Sequence, residues 1–354
     1  MAARRGEHLG EIEVIEAVDA IRRRPAMYVG SLDRHGISTM AEGIIADALD
    51  EFLAGKADHV EVDMDSDSWI EVRDNGAGLP LDTPAQASAF ERWRTSFDRL
   101  QAGRHGSGAV GSPFGLPVLV VSALSEWFEI SSHREERSSS VVFRRGRRVH
   151  ERGGRGRTTR GTTIRFRPDP EIFGPARLET ASVSQFVRQL AWLTRPLNWS
   201  IQGRRLHDEG GLFAAMAHHG PFHPGTLLGL EERRAAFSVE LVLALAASPV
   251  GRAPRFETFA NFQRVLRAPN LEAVPAALAS VFPNVDPAGR LVVACHLKVA
   301  HPEFRGAFSP GDAGWAHDEF IFPEAAPVIS ELVTRALSEP TDTRIAWLEA
   351  LQTG

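Results

Sequence analysis

Residues Glu42–Pro80, EGIIADALDEFLAGKADHVEVDMDSDSWIEVRDNGAGLP, decide the fold. Ile44, Ile45, Ala48, Leu49 and Phe52 recur at helical spacing, which predicts a helix from about Ser38 to Leu53. Gly55 stands where a helix C-cap glycine is expected. Val60-Glu61-Val62 and Trp69-Ile70-Glu71-Val72 alternate like half-buried strands, with Asp65-Ser66-Asp67-Ser68 as the turn between them. Asp74-Asn75-Gly76-Ala77-Gly78-Leu79-Pro80 follows. A carboxylate with glycines two and four residues on lets backbone approach a flat ligand, and the carboxylate can accept a hydrogen bond from an exocyclic amine such as adenine N6. The plainer reading of these residues is a turn that ends a strand.

Outward from this stretch, other short motifs fall in order. Ile21-Arg22-Arg23-Arg24-Pro25-Ala26-Met27-Tyr28-Val29-Gly30 precedes it, after an amphipathic helix predicted over Glu11–Arg24 that Pro25 ends. Leu100-Gln101-Ala102-Gly103, Ser122-Ala123-Leu124-Ser125 and Gly161-Thr162-Thr163-Ile164-Arg165-Phe166 come after it. Together with Asp50-Glu51-Phe52-Leu53-Ala54-Gly55, these resemble the ATPase region of the DNA gyrase B and topoisomerase IV B subunits. That family belongs to the gyrase, heat-shock chaperone, histidine kinase and MutL superfamily (GHKL, the Bergerat fold). Their order carries the resemblance, since each motif alone is weak.

The resemblance implies an α+β fold: a GHKL sandwich over residues 1–205, then a ribosomal-S5-like transducer domain over 206–354. The second part is matched more faintly, by Glu209-Gly210-Gly211-Leu212, Phe222-His223-Pro224 and Pro302-Glu303-Phe304-Arg305-Gly306. Strands are expected at Phe237–Ala246 and Leu291–Lys298, and helices at Ala325–Leu337 and Thr341–Leu351. The family binds ATP with Mg2+. Carried over residue by residue, that places the nucleotide against Asp47, Glu51, Asp74, Gly76, Gly78, Gly115 and Thr162, with Asp47 as the magnesium ligand.

The sequence also departs from the family. A catalytic Glu and a magnesium-holding Asn four residues later occupy one helix face there; Gly43 and Asp47 stand at those places here. Glu42 lies one residue early, about 100° around the helix. It is either a solvated or structural carboxylate or a displaced general base. Ala77 replaces an arginine near the adenine. Thr83–Gly115 reads as a lid loop, and the phosphate cradle that follows retains Gly115 while Pro117 replaces its last glycine, removing an N–H donor. The family's Gln-Thr-Lys loop, whose lysine reaches the γ-phosphate, is Ala307-Phe308-Ser309 here. The only tyrosine is Tyr28, so the family's N-terminal tyrosine contact is missing or made differently.

Composition sets the outer bounds. The chain has 354 residues, 43% hydrophobic and 24% charged, with a net charge of −5, as expected of a globular protein with two ordinary domains. The net charge weighs weakly against a dedicated nucleic-acid binder. Arg144–Arg160 reads either as a solvated hairpin or as a basic strip for nucleic acid or phosphate. One cysteine, Cys295, excludes an intrachain disulfide. No secretory signal or membrane-length apolar run is seen, so a cytoplasmic protein without a membrane partner is expected. The family's acidic metal-binding toprim half has no counterpart, so DNA cleavage is not expected from this chain alone. The reading that follows is a gyrase-B-like nucleotide-binding or regulatory module with an impaired ATPase site, acting as a homodimer or through partners. An active ATPase and a decoy for cellular gyrase or topoisomerase IV subunits are the alternatives.

Overall fold

The computed structural model describes residues 16–65, 69–79, 81, 118–134, 136–155, 159–206, 210–217, 219–287, 289–299, 303–311 and 314–352. It begins with α1 (Ala17–Arg23), α2 (Ala26–Val29) and α3 (Arg34–Leu53). Helix α3 starts four residues earlier than the apolar spacing predicts. Asp33 caps it, its carboxylate accepting from the His35 N–H at 2.9 Å. Gly55 follows the helix at φ +69°, and its N–H donates to the Phe52 carbonyl at 2.8 Å, so the expected stop is present.

Strands β1 (His59–Met64) and β2 (Ile70–Asp74) pair antiparallel with Val62 opposite Val72. They are central in an eight-stranded sheet completed by β3 (Ser125–Arg134), β4 (Arg137–Arg144), β5 (Arg147–Arg155), β6 (Gly161–Pro168), β7 (Asn198–Ile201) and β8 (Arg204–Leu206). The strand order is β5-β4-β3-β6-β2-β1-β7-β8. Helix α3, the buried helix α4 (Val118–Ala123) and the amphipathic helix α6 (Thr180–Leu193) pack in its core; a one-turn α5 (Pro170–Phe173) leads into α6. Residues alternate in burial along β1 and β2, as a sheet with one face in water requires. Arg22 of α1 ties the helical layer to the sheet end. Its guanidinium pairs with the fully buried Asp169 at 2.7 Å and donates to the Ala123 carbonyl at 2.7 Å.

After the short helix α7 (Leu212–Ala217) comes a second sheet. It contains β9 (Leu228–Arg233), β10 (Phe237–Leu245), β11 (Arg255–Ala260), β12 (Gln263–Arg267), β13 (Leu291–Val299), β14 (Glu303–Gly311) and β15 (Gly314–Ile321), in the order β14-β15-β12-β11-β13-β10-β9. Helices α8 (Ala273–Val281), α9 (Ala325–Ser338) and α10 (Asp342–Gln352) cover one face, against Leu241, Leu243, Leu291 and Val293. The other face (Val242, Ala244, Val292 and Ala294) joins the core of the first sheet. Both faces of β10 and β13 are therefore buried, not one face as a half-buried alternation would have it. Their near-continuous apolar sequence follows from that. Cys295 lies in β13, fully buried, and burial pushes its thiol far above the usual range, which makes it inert. Among the described residues no helix is long and apolar enough to cross a membrane.

Candidate functional site

Strand β2 ends at Asp74, which lies opposite Thr162 of β6 in the ladder. This places the Asp74 carboxylate at the floor of a pocket roofed by α3. Ile44, Ala48, Val72, Leu79 and Ile164 form its apolar walls, and Asp47, Glu51, Asp74 and Thr162 its polar rim. The α3 contributors, Ile44, Asp47, Ala48 and Glu51, are spaced three, four and seven residues apart and form one helix face. The space left between them is about 30 Å³. That admits a water, and a purine would need the walls to part.

Asp74 accepts from the Gly76 N–H at 2.7 Å and from the Thr162 N–H at 3.4 Å. Burial raises its pKa to about 6, helped by the nearby Glu51 charge and opposed by the hydrogen bonds from Gly76 and Thr162. The carboxylate is thus an acceptor at neutral pH, with apolar walls above it: the chemistry of a site for an exocyclic amine on a flat ring. Glu51 accepts from the Ala77 N–H at 3.2 Å and lies 3.9 Å from the Lys56 ammonium.

The glycines of the turn answer first to the protein's own packing. A Cβ on Gly76 would sit 2.7 Å from the Asp74 carboxylate and 2.8 Å from that of Glu51. On Gly78, at φ +73°, it would lie 2.7 Å from both the His133 carbonyl and the Arg134 side chain. The carboxylate that holds the pocket floor can fold back onto the turn only because residue 76 has no side chain. Two residues that sequence reasoning passed over complete the turn. Asn75 accepts from the Asp58 and His59 N–H groups at 3.0 and 3.1 Å, and its amide donates to the Asp58 carboxylate at 2.6 Å. The Ser132 hydroxyl binds both the N–H and the carbonyl of Leu79 at 2.8 Å. Asn in an Asp-Asn-Gly turn was a signal for the first; nothing local pointed to Ser132, which comes from β3.

The phosphate side differs. Helix α3 runs unbroken through Gly43, so no local rewinding moves Glu42 onto the pocket face. Glu42 is 3% exposed, which removes the solvated reading, and it is not among the described residues that line the pocket. Burial alone pushes its pKa up to about 8, so it is protonated at neutral pH. Among the described residues no group of three or more carboxylate, histidine or cysteine ligands could hold a metal by itself. A magnesium ion at Asp47 would take its remaining ligands from phosphates and water, which is usual for that ion. Gly115 and the lid, Thr83–Gly115, lie outside the described residues. The backbone at Ser309 forms part of β14, opposite Ala316.

The arginine-rich strip runs from the last residue of β4 through β5. Strand β5 is exposed along its whole length at the sheet edge. Arg145 pairs with Asp169 and Glu171, Arg147 with Asp19 and Glu16, and Arg148 with Glu151. Part of its charge is therefore matched within the chain.

No family model matches the sequence. The chain is 32% identical over 271 residues to the DNA gyrase B protein of Archaeoglobus fulgidus, covering 71% of this chain and 42% of that protein. It is 34% identical over 217 residues to the DNA gyrase B protein of Thermus thermophilus, covering 57% of this chain and 34% of that protein. The chain thus spans less than half the length of the curated relatives it matches. Among solved structures, the 43K ATPase domain of Thermus thermophilus gyrase B, in complex with an aminocoumarin, superposes with a TM-score of 0.73 at 24% identity over 95% of this chain and 94% of that one. The topoisomerase IV ATP-binding domain of Francisella tularensis, in complex with a small-molecule inhibitor, does so with a TM-score of 0.63 at 20% identity over 95% and 97%. These likenesses establish the α+β fold expected from the sequence.

Proposed function

We propose that the chain is a gyrase B-like nucleotide-binding or regulatory module that keeps the adenine end of the pocket while its hydrolytic end is impaired. The observation that carries this reading is at position 43. The helix face bearing Asp47 and Glu51 reaches Gly43 one turn earlier, where the family resemblance calls for the general base. The neighbouring carboxyl, Glu42, is buried, protonated and off that face. Losing a general base costs on the order of 10²–10⁴-fold in rate.

Asp74 would accept from the adenine amine, with Thr162 and Gly76 fixing the carboxylate and Ile44, Val72 and Ile164 against the ring. Asp47 would face the magnesium that accompanies the triphosphate, where it supplies charge neutralisation. Asp47, Glu51 and Asp74 together place three carboxyls around the pocket, with the Lys56 ammonium 3.9 Å from Glu51. That charge balance supports weak, magnesium-dependent binding. The module then acts by dimerisation or by contact with gyrase or topoisomerase IV subunits.

A second reading rests on Asp47, whose carboxyl lies on the pocket face and would replace the missing base in a working ATPase. Calorimetry with a non-hydrolysable ATP analogue, with and without magnesium, separates the readings when paired with turnover assays. Analogue binding abolished by Asp74→Ala, with negligible turnover, is the expected result. Turnover that Asp47→Asn abolishes would establish the second reading instead. No binding at millimolar analogue would end the nucleotide reading.

A further inference from the structure

A larger cavity than the Asp74 pocket lies elsewhere. It holds about 460 Å³ between helix α6 and the strands β11 and β12. That volume is in the range of small-molecule sites, roughly 300–1,000 Å³. Ser184, Arg188 and Trp192 line one wall at helical spacing, so a single face of α6 supplies it. Arg255, Glu257 and Arg264 come from the facing strands, and His219 from the segment after α7.

The charges around this cavity do not balance. Glu257 is buried and takes two hydrogen bonds from Arg264, at 2.8 and 3.3 Å, with His219 at 3.7 Å. That pair is complete in itself. Arg188 and Arg255 are exposed at the cavity and have no acidic partner among the described residues. One stands on each wall. The result is a concave site with two guanidinium groups unmatched among the described residues, in a chain whose overall net charge is −5. A general basic surface does not account for it. Two arginine forks facing a shared space suit an anion that offers several oxygens, since guanidinium binds phosphate in a bidentate manner. The walls focus that field into the cavity. Trp192 and Ala215 supply an apolar patch beside the charges.

We propose that this cavity is a second ligand site, distinct from the Asp74 pocket, for a small phosphate- or pyrophosphate-bearing molecule held between Arg188 and Arg255. Such a ligand bridges a helix of the first layer and a strand of the second sheet, and so clamps the two together.

The test is calorimetry and thermal denaturation of the full chain with inorganic pyrophosphate alone. Arg188→Ala/Arg255→Ala is the site variant; both side chains are exposed, so an unchanged melting midpoint without ligand checks its fold. Pyrophosphate should raise the midpoint of the wild type, and the double variant should lose about tenfold or more in affinity. Asp74→Ala should change it less than about twofold, a difference within the scatter of single-site effects at independent positions. The proposal fails if pyrophosphate leaves the midpoint unmoved and produces no heat, or if Asp74→Ala abolishes its binding while the arginine variant does not. A short DNA duplex forms the second arm. Arginine-dependent binding of the duplex, with none of pyrophosphate, would make the surface one for nucleic acid and overturn the small-molecule site.

Discussion

Two regions of this molecule withdraw carboxyl groups from water and do opposite things with them. In the α3–β2 region, Asp74 is held by neutral donors of Gly76 and Thr162 and Glu42 by no described group, and both titrate upward, to about 6 and about 8. In the region between α6 and β11, burial also works against the Glu257 charge, but hydrogen bonds from His219 and Arg264 hold its pKa down to about 2. Burial is common to all three, so the partner decides the protonation state. A cation fixes the charge, neutral donors leave it poised near neutrality, and the absence of a partner removes it. A poised carboxylate can trade one hydrogen bond for another, which a ligand site requires. A carboxylate locked to arginine serves structure.

The largest expected effect tests the locked end of this comparison. Glu257→Ala leaves the half-buried Arg264 without its partner and should cost about 3 kcal/mol, the low end for breaking a buried pair, read by denaturant unfolding. The folded pKa is depressed, so the stabilisation is present above the unfolded value of 4.5 and is lost as pH falls toward 2. The deficit of the variant should therefore shrink in acid. A variant as stable as the wild type at neutral pH would mean the pair is incidental.

The poised end comes next. Asp74→Ala should weaken ATP-analogue binding by about 10–100-fold, the worth of one charge-assisted hydrogen bond. In the wild type the same binding should weaken below about pH 6, where Asp74 takes up a proton and ceases to be a pure acceptor. Affinity that is flat from pH 5 to pH 8 would separate Asp74 from the ligand.

The contrast between these regions also marks where the sequence was legible. Ile44, Ile45, Ala48 and Leu49 are buried as their spacing predicts, and Asp74 and Thr162 meet because β2 and β6 pair in the register that the flanking apolar residues impose. The start of α3 was misplaced because Arg34, His35 and Gly36 carry no apolar period, although Asp33 offered a cap. Glu42 was harder. A carboxylate between apolar residues is normally solvated, and only the packing around α3 shows it enclosed. The second cavity could not be read at all. Arg188, His219 and Glu257 lie tens of residues apart, and α6 faces β11 and β12 across a cavity where the second sheet packs on the first layer.

Glu42, the carboxyl without a partner among the described residues, gives an effect of opposite sign on stability. The native state keeps the Glu42 proton up to about pH 8, while the unfolded chain gives it up near 4.5. Stability from this group is thus complete below 4.5 and falls as pH rises to 8. Glu42→Gln, a neutral isostere, should raise the melting midpoint at pH 8.5 by several degrees and change it little at pH 5. A variant that is less stable at both pH values would show that the carboxyl has a partner after all.

Asp47→Asn should have the smallest effect and sharpens the comparison at its midpoint. Asp47 lies on the pocket face with Asp74 and Glu51, and three carboxyls there repel a triphosphate. Removing one charge in a half-exposed setting should tighten analogue binding by less than about tenfold, since screened charges contribute on the order of 1 kcal/mol. The gain should be larger without magnesium than with it, because the ion offsets the same repulsion that the substitution removes. If Asp47 instead provides most of the magnesium affinity, the substitution weakens binding only when magnesium is present. The magnesium dependence of one variant therefore distinguishes a carboxylate that merely repels phosphate from one that recruits the metal.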